Sequence, residues 1–183
     1  MTEELRVLAR VLRATGLVCR LTVEVTPGAV EVYVRPGETG GVATVDAVAA
    51  ALGTAAGVTS VGGTTLYTAS AALDGVGVAV VHLLCRPERP PAPRRTQTDD
   101  LVAALDTLAA WLPSLPASLD PSAVVTDTGA AIHAQLRFTD GPDAPGLVRM
   151  LTDGLPEAPW PARGADTTVL LGSLPLSIHR LMF

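Results

Sequence analysis

The 183 residues contain no lysine and no asparagine, isoleucine occurs only at Ile132 and Ile178, and aromatic side chains make up 3% of the chain. Without lysine there is no Walker-A phosphate loop, no Schiff-base nucleophile and no amine general base, since each depends on that side chain. The scarcity of aromatics leaves a core of Val, Ala and Leu and argues against recognition by stacking. Lys, Asn and Ile are all encoded by A/T-rich codons, so a high-GC bacterium or one of its mobile elements is the expected source. Cysteine is nearly absent as well. Cys19 and Cys85 each sit in an apolar, strand-like run, where a thiol acts as a small buried hydrophobe and no disulfide framework is expected. Long hydrophobic runs are missing too: the longest, Val76 to Cys85, is about half of what a bilayer requires. The N-terminus, Met1-Thr2-Glu3-Glu4, is acidic where a leader would be basic. No membrane association is expected, and the cytoplasm is the expected compartment.

Hydrophobic residues make up 48% of the chain, enough for a packed core. The net charge of −5 is unevenly spread: residues 1–86 are close to neutral, residues 87–97 are basic, and residues 98–183 carry the acidic excess. Such an acidic second half repels phosphate.

The basic stretch, Arg86-Pro87-Glu88-Arg89-Pro90-Pro91-Ala92-Pro93-Arg94-Arg95-Thr96-Gln97, has the composition of an extended, semi-rigid linker. On either side of it the pattern reads helix, two strands, helix, two strands. The first helix begins with Thr2 as N-cap and Glu3 and Glu4 in its first turn, carries a Leu5, Leu8, Leu12 stripe and stops at Gly16. Alternating residues from Cys19 to Val25 and from Val30 to Val34 form a hairpin about Pro27-Gly28. A helix from about Thr44 to Leu52 and strands at 64–70 and 76–85 come next. After the linker come a helix capped by Thr98 or Asp99 with a Leu101, Leu105, Leu108, Leu112 stripe, and strands at 123–126 and 130–138. A helix capped by Asp143 and strands at 167–171 and 176–182 end the chain.

The halves also agree in letters. Gly28-Ala29-Val30 matches Gly129-Ala130-Ala131, Thr64-Thr65-Leu66 matches Thr167-Thr168-Val169, and Val81-His82-Leu83-Leu84 matches Ile178-His179-Arg180-Leu181. The expected fold is therefore α+β and internally duplicated, (α-β-β-α-β-β) twice, with antiparallel sheets, helices packed on one face and a pseudo-two-fold. The expected units are a first repeat at 1–86, the linker at 87–97 and a second repeat at 98–183.

Few residues carry a chemical signal. Asp127-Thr128-Gly129-Ala130 resembles the catalytic loop of aspartic proteases, which shares a proton between two carboxylates. The match spans only these four residues, and Thr26-Pro27-Gly28, its partner in the other half, has no carboxylate to complete a dyad, so an ordinary hairpin turn is expected. His82, His133 and His179 lie in strands without the converging ligands or spacings of a metal site. No catalytic, cofactor or metal site is expected.

The leading expectation is a non-enzymatic protein-interaction or assembly module working through surfaces that both halves form together. Trp160, held between Pro159 and Pro161, and the tail residues Met182 and Phe183 are its contact candidates. A self-associating chain fits this reading too. The alternative is a nucleic-acid accessory protein, clamp-like or saddle-shaped, which requires Arg6, Arg10, Arg13, Arg20 and Arg35 on one concave face. A small-ligand or hydrolytic site between the halves is the weakest reading.

Overall fold

The computed structural model describes residues 1–16, 19–36, 39–84, 95–116, 119–139, 144–159 and 165–181. Its elements in chain order are α1 (Thr2–Thr15), β1 (Leu21–Thr26), β2 (Ala29–Val34), α2 (Gly41–Ala51), β3 (Gly57–Val61), β4 (Thr64–Leu73), β5 (Val76–Leu83), α3 (Thr98–Trp111), β6 (Ser122–Asp127), β7 (Ile132–Thr139), α4 (Ala144–Thr152), β8 (Thr167–Leu171) and β9 (Leu174–Leu181). The fold is α+β, with these four helices and a single sheet of nine strands in the order β3-β4-β5-β2-β1-β6-β7-β9-β8.

The sheet is mixed, where antiparallel sheets were expected. β2 pairs parallel with β5, and β7 parallel with β9. The cause is the connection. After β2 the chain passes through α2 and the β3–β4 hairpin, and after β7 through α4 and β8, before a strand returns in the original direction. A fifth strand, β3, also stands in the first half where the pattern predicted two after α2.

Alternation along each strand sorts residues into two faces. One register row runs across eight strands as Ala69, Val80, Val32, Val23, Val125, Ala134, Leu176 and Val169, and every one of these side chains is buried. The row crosses the β1–β6 pair without interruption, so the core is continuous from one half to the other.

α1 belongs to that core. Glu3 and Glu4 complement the positive end of its dipole and Arg13 the negative end, while Leu5, Leu8, Val11 and Leu12 are buried. It packs against α3, and the Arg13 guanidinium meets Asp106 of that helix at 2.5 Å. Glu4 fastens α1 to the sheet by accepting the Gly28 amide at 2.7 Å. Burial opposes ionisation of Glu4, but the Met1 ammonium and the Gly28 amide outweigh it and hold the carboxyl below its ordinary value.

Three expected boundaries shift. Met1 is the N-cap of α1, and α2 starts at Gly41. Gln97 precedes α3, its amide donating to the Asp100 carboxylate at 2.7 Å, so neither Thr98 nor Asp99 is the cap. Asp143 and most of the 87–97 stretch lie outside the described residues. Among the described residues no helix is long and apolar enough to cross a membrane.

Candidate interaction surfaces

The face of the sheet opposite the buried row differs between its two sides. In the first half the next row reads Ser70, Ala79, Glu31 and Glu24, all exposed or half-buried. Continued into the second half, it reads Val124, Gln135, Ser177 and Thr168, of which Val124, Ser177 and Thr168 are buried. There the hydroxyls of Thr168 and Ser177 pair at 3.3 Å, and along β7 the Arg137 guanidinium donates to Gln135 at 2.9 Å. On the first half, small side chains leave a shallow groove of about 440 Å³ floored by Ala29, Ala72, Gly77 and Ala79. Glu31 stands at its rim and accepts the Tyr33 hydroxyl, which with burial pushes that phenol up to about 12.

Beyond the groove, β3 is exposed along all five residues, with Val58 and Val61 at 64% and 61% exposure. The connection from β3 to β4 is Gly62-Gly63, both at positive φ (56° and 79°), which the tight two-residue hairpin demands and which side chains disfavour.

Asp127 ends β6. It is buried, accepts the Thr96 hydroxyl at 2.7 Å and the Gly129 amide at 2.7 Å, and the Gly129 carbonyl in turn accepts the Thr96 amide. These bonds tie the entry to α3 to the β6–β7 connection.

The three histidines do not converge, and the described residues contain no group of His, Cys, Asp and Glu able to hold a metal. His82 and His179, equivalent by letters, stand on opposite faces. His82 shares the parity of buried Val80 and lies opposite Val34; His179 shares the parity of Ser177 and lies opposite Arg137. Their letter match is thus one residue out of register. The His82 ring packs against Gly41 in the first turn of α2.

The five arginines are not brought together. On α1, Arg6 meets Glu3 at 3.6 Å, Arg10 meets Asp74 at 2.5 Å and Arg13 meets Asp106. Arg20 and Arg35 line a separate cleft of about 210 Å³ at the β1–β6 seam, with Tyr33, Thr126 and Thr128. They extend the strand parity opposite the face that α1 covers. Trp160, Met182 and Phe183 lie outside the described residues. Sequence reasoning missed the groove and β3; the one signal for them is the stretch between Asp46 and Asp74, which contains no charged residue.

Against protein-family models, curated proteins and solved structures, the chain matches none.

Proposed function

We propose that the chain is a non-enzymatic interaction or assembly module that receives a protein partner on the uncovered side of its first half. The observation that carries this reading is the contrast within one sheet: the row that is buried in the second half is open in the first, over a floor of small side chains. A surface of this kind, floored by small uncharged side chains with Glu31 at its rim and Glu24 next along the row, suits a partner presenting apolar side chains with basic neighbours. The second half serves as a rigid backing, because its strands continue the same hydrogen-bonded sheet.

The two-repeat organisation, 1–86 and 98–183 joined by the 87–97 linker, belongs to this proposal. Read outward from the β1–β6 seam, the strand orders 1-2-5-4 and 6-7-9-8 obey the same scheme, which supports a duplication and a pseudo-two-fold through the seam. A one-sided cover of helices over the buried row goes with it.

Ala79→Arg tests the function. A protein captured with the wild-type chain, then purified and titrated, should bind this variant at least tenfold more weakly while circular dichroism stays unchanged. Equal binding by the two chains would remove the groove from the interface. The nucleic-acid alternative requires binding that weakens steeply with salt; fluorescence anisotropy between 50 and 200 mM salt, the range over which phosphate contacts are lost at roughly three to five decades of affinity, is expected to show none.

A further inference from the structure

The edge strand β3 has a chemistry that selects its occupant. Leu84 donates its amide to the Thr65 carbonyl at 2.9 Å, so the main-chain groups of Thr65 point toward β5. Its opposite number in β3 is Ser60. Antiparallel pairing alternates, and the main-chain N–H and C=O groups of Ser60 and Val58 therefore point outward, away from β4. A second strand at this edge would meet two donors and two acceptors.

We propose that this occupant is β3 of a second copy of the chain, paired antiparallel about a two-fold axis at Thr59. Centring the dyad there sets Val58 opposite the partner copy's Ser60 and Ser60 opposite its Val58, the residues whose polar groups point outward, and yields four main-chain hydrogen bonds. Thr59 faces its own copy in a non-hydrogen-bonded pair, the geometry in which side chains approach most closely and threonine pairs are favourable.

Charge and size support self-pairing over an extended peptide of another protein. No charged residue lies between Asp46 and Asp74, so two copies meet without like charges opposed, and no residue from Thr54 to Gly63 is larger than valine. The edge also lacks the lysines, prolines and inward charges that usually block pairing. Its side chains are no larger than valine, whereas peptide-binding edges rely on side-chain pockets to specify a heterologous strand.

The opposite end of the sheet fixes the stoichiometry. Along β8, Ala158 donates to the Thr168 carbonyl at 2.9 Å and Leu170 to the Pro156 carbonyl at 2.8 Å, so that edge is already occupied by the chain itself. With one edge open, pairing closes as an isologous dimer and does not propagate into a fibre.

This inference rests on the assembly side of the proposed function, but the two are read on different variants. Five paired residues form a small interface, so sedimentation equilibrium should show the wild-type mass doubling in the micromolar range, about 1–100 µM. Ser60→Pro, which removes an outward N–H, and Val58→Lys, which places charge on the edge, should each weaken association at least tenfold with unchanged circular dichroism. In a Cys85→Ser background, Thr59→Cys should cross-link to its own copy under mild oxidation, and Val61→Cys should not. A wild-type chain that stays monomeric to about 0.5 mM, or folded Ser60→Pro and Val58→Lys chains that dimerise like wild type, would overturn the proposal. Partner binding that survives in monomeric Ser60→Pro leaves the groove reading intact, and a dimeric Ala79→Arg chain that loses its partner leaves the dimer intact.

Discussion

At one end of the sheet β8 is overlaid by residues 156–158 of its own chain; at the other, β3 stands with all five residues exposed. Both strands turn main-chain N–H and C=O groups outward, and those of β8 are taken up by Ala158 and Pro156, so the backbone is not what distinguishes them. The difference lies in the neighbouring sequence. The covering segment contains Pro156 and Glu157, flanked by Pro159, a composition that both occupies and blunts an edge, while β3 is preceded by Thr54-Ala55-Ala56 and succeeded by two glycines. A chain able to cover one edge has left the other bare, and a five-residue strand without charge is the wrong choice for an edge meant to remain solitary.

Substitutions should grade in effect from the shared interior through the covered side to the bare edge. Leu176→Ala empties a fully buried position in the row that crosses both halves and should lower stability by about 2–5 kcal/mol in urea unfolding. A single transition seen by both fluorescence and circular dichroism would show that the two halves lose stability together.

Gly41→Ala is next. A Cβ at this position would lie 2.3–2.6 Å from atoms of the buried His82 ring, so either helix or ring must move, at about 1–3 kcal/mol. In His82→Ala the same substitution should cost clearly less, and a double-mutant cycle measures the coupling. Asp127→Ala, which strands the Thr96 hydroxyl and the Gly129 amide, should cost about 1–3 kcal/mol. The wild-type chain is expected to show no pepstatin-sensitive cleavage of unfolded protein at acid pH; such cleavage, lost with Asp127→Ala, would make the turn catalytic.

The covered side also has a pH signature. The Arg180 guanidinium and amide bind the Asp166 carboxylate at 2.5–2.8 Å and hold it below its ordinary value. Because the folded-state pKa is the lower one, this contribution is complete above the unfolded carboxylate's value of about 4 and disappears as pH falls through the folded one. Urea midpoints at pH 7 and pH 3 should therefore converge partially in Asp166→Asn; convergence is incomplete because Glu4 titrates with the same sign. The pair is partly solvent-exposed, so the effect should shrink with added salt. At the bare edge, Val58→Thr should change stability by less than about 0.5 kcal/mol.

The sequence was legible wherever burial is one-sided. The Leu5-Leu8-Leu12 stripe and the alternation through β1 and β2 were readable because water lies on one side of each element and the core on the other. β3 was not, because Gly57 to Val61 meet solvent on both faces and leave no alternation to read. The parallel pairs escaped detection for a different reason: periodicity reports which face of a strand is buried, and neighbour and direction depend on the crossover. The histidine match misled because two identical letters one residue out of register point to opposite faces. The arginines of the nucleic-acid reading were separable only once α1 and the ends of β1 and β2 had been placed on different sides of the sheet.

The seam between β1 and β6 has a consequence for synthesis. In the finished molecule β1 is the central strand, hydrogen-bonded on both sides, yet its second partner comes from residues 122–127. On the ribosome, where domains emerge from the N-terminus at about 5–20 residues per second, the first half is complete some seconds before β6 appears. Throughout that interval β1 is a temporary edge, and Val23 and Val25 lie beside a vacancy that any other extended segment can fill. The nascent chain is therefore most exposed to mispairing at the position that later becomes its best protected, until residues 122–127 have left the ribosome and paired with β1.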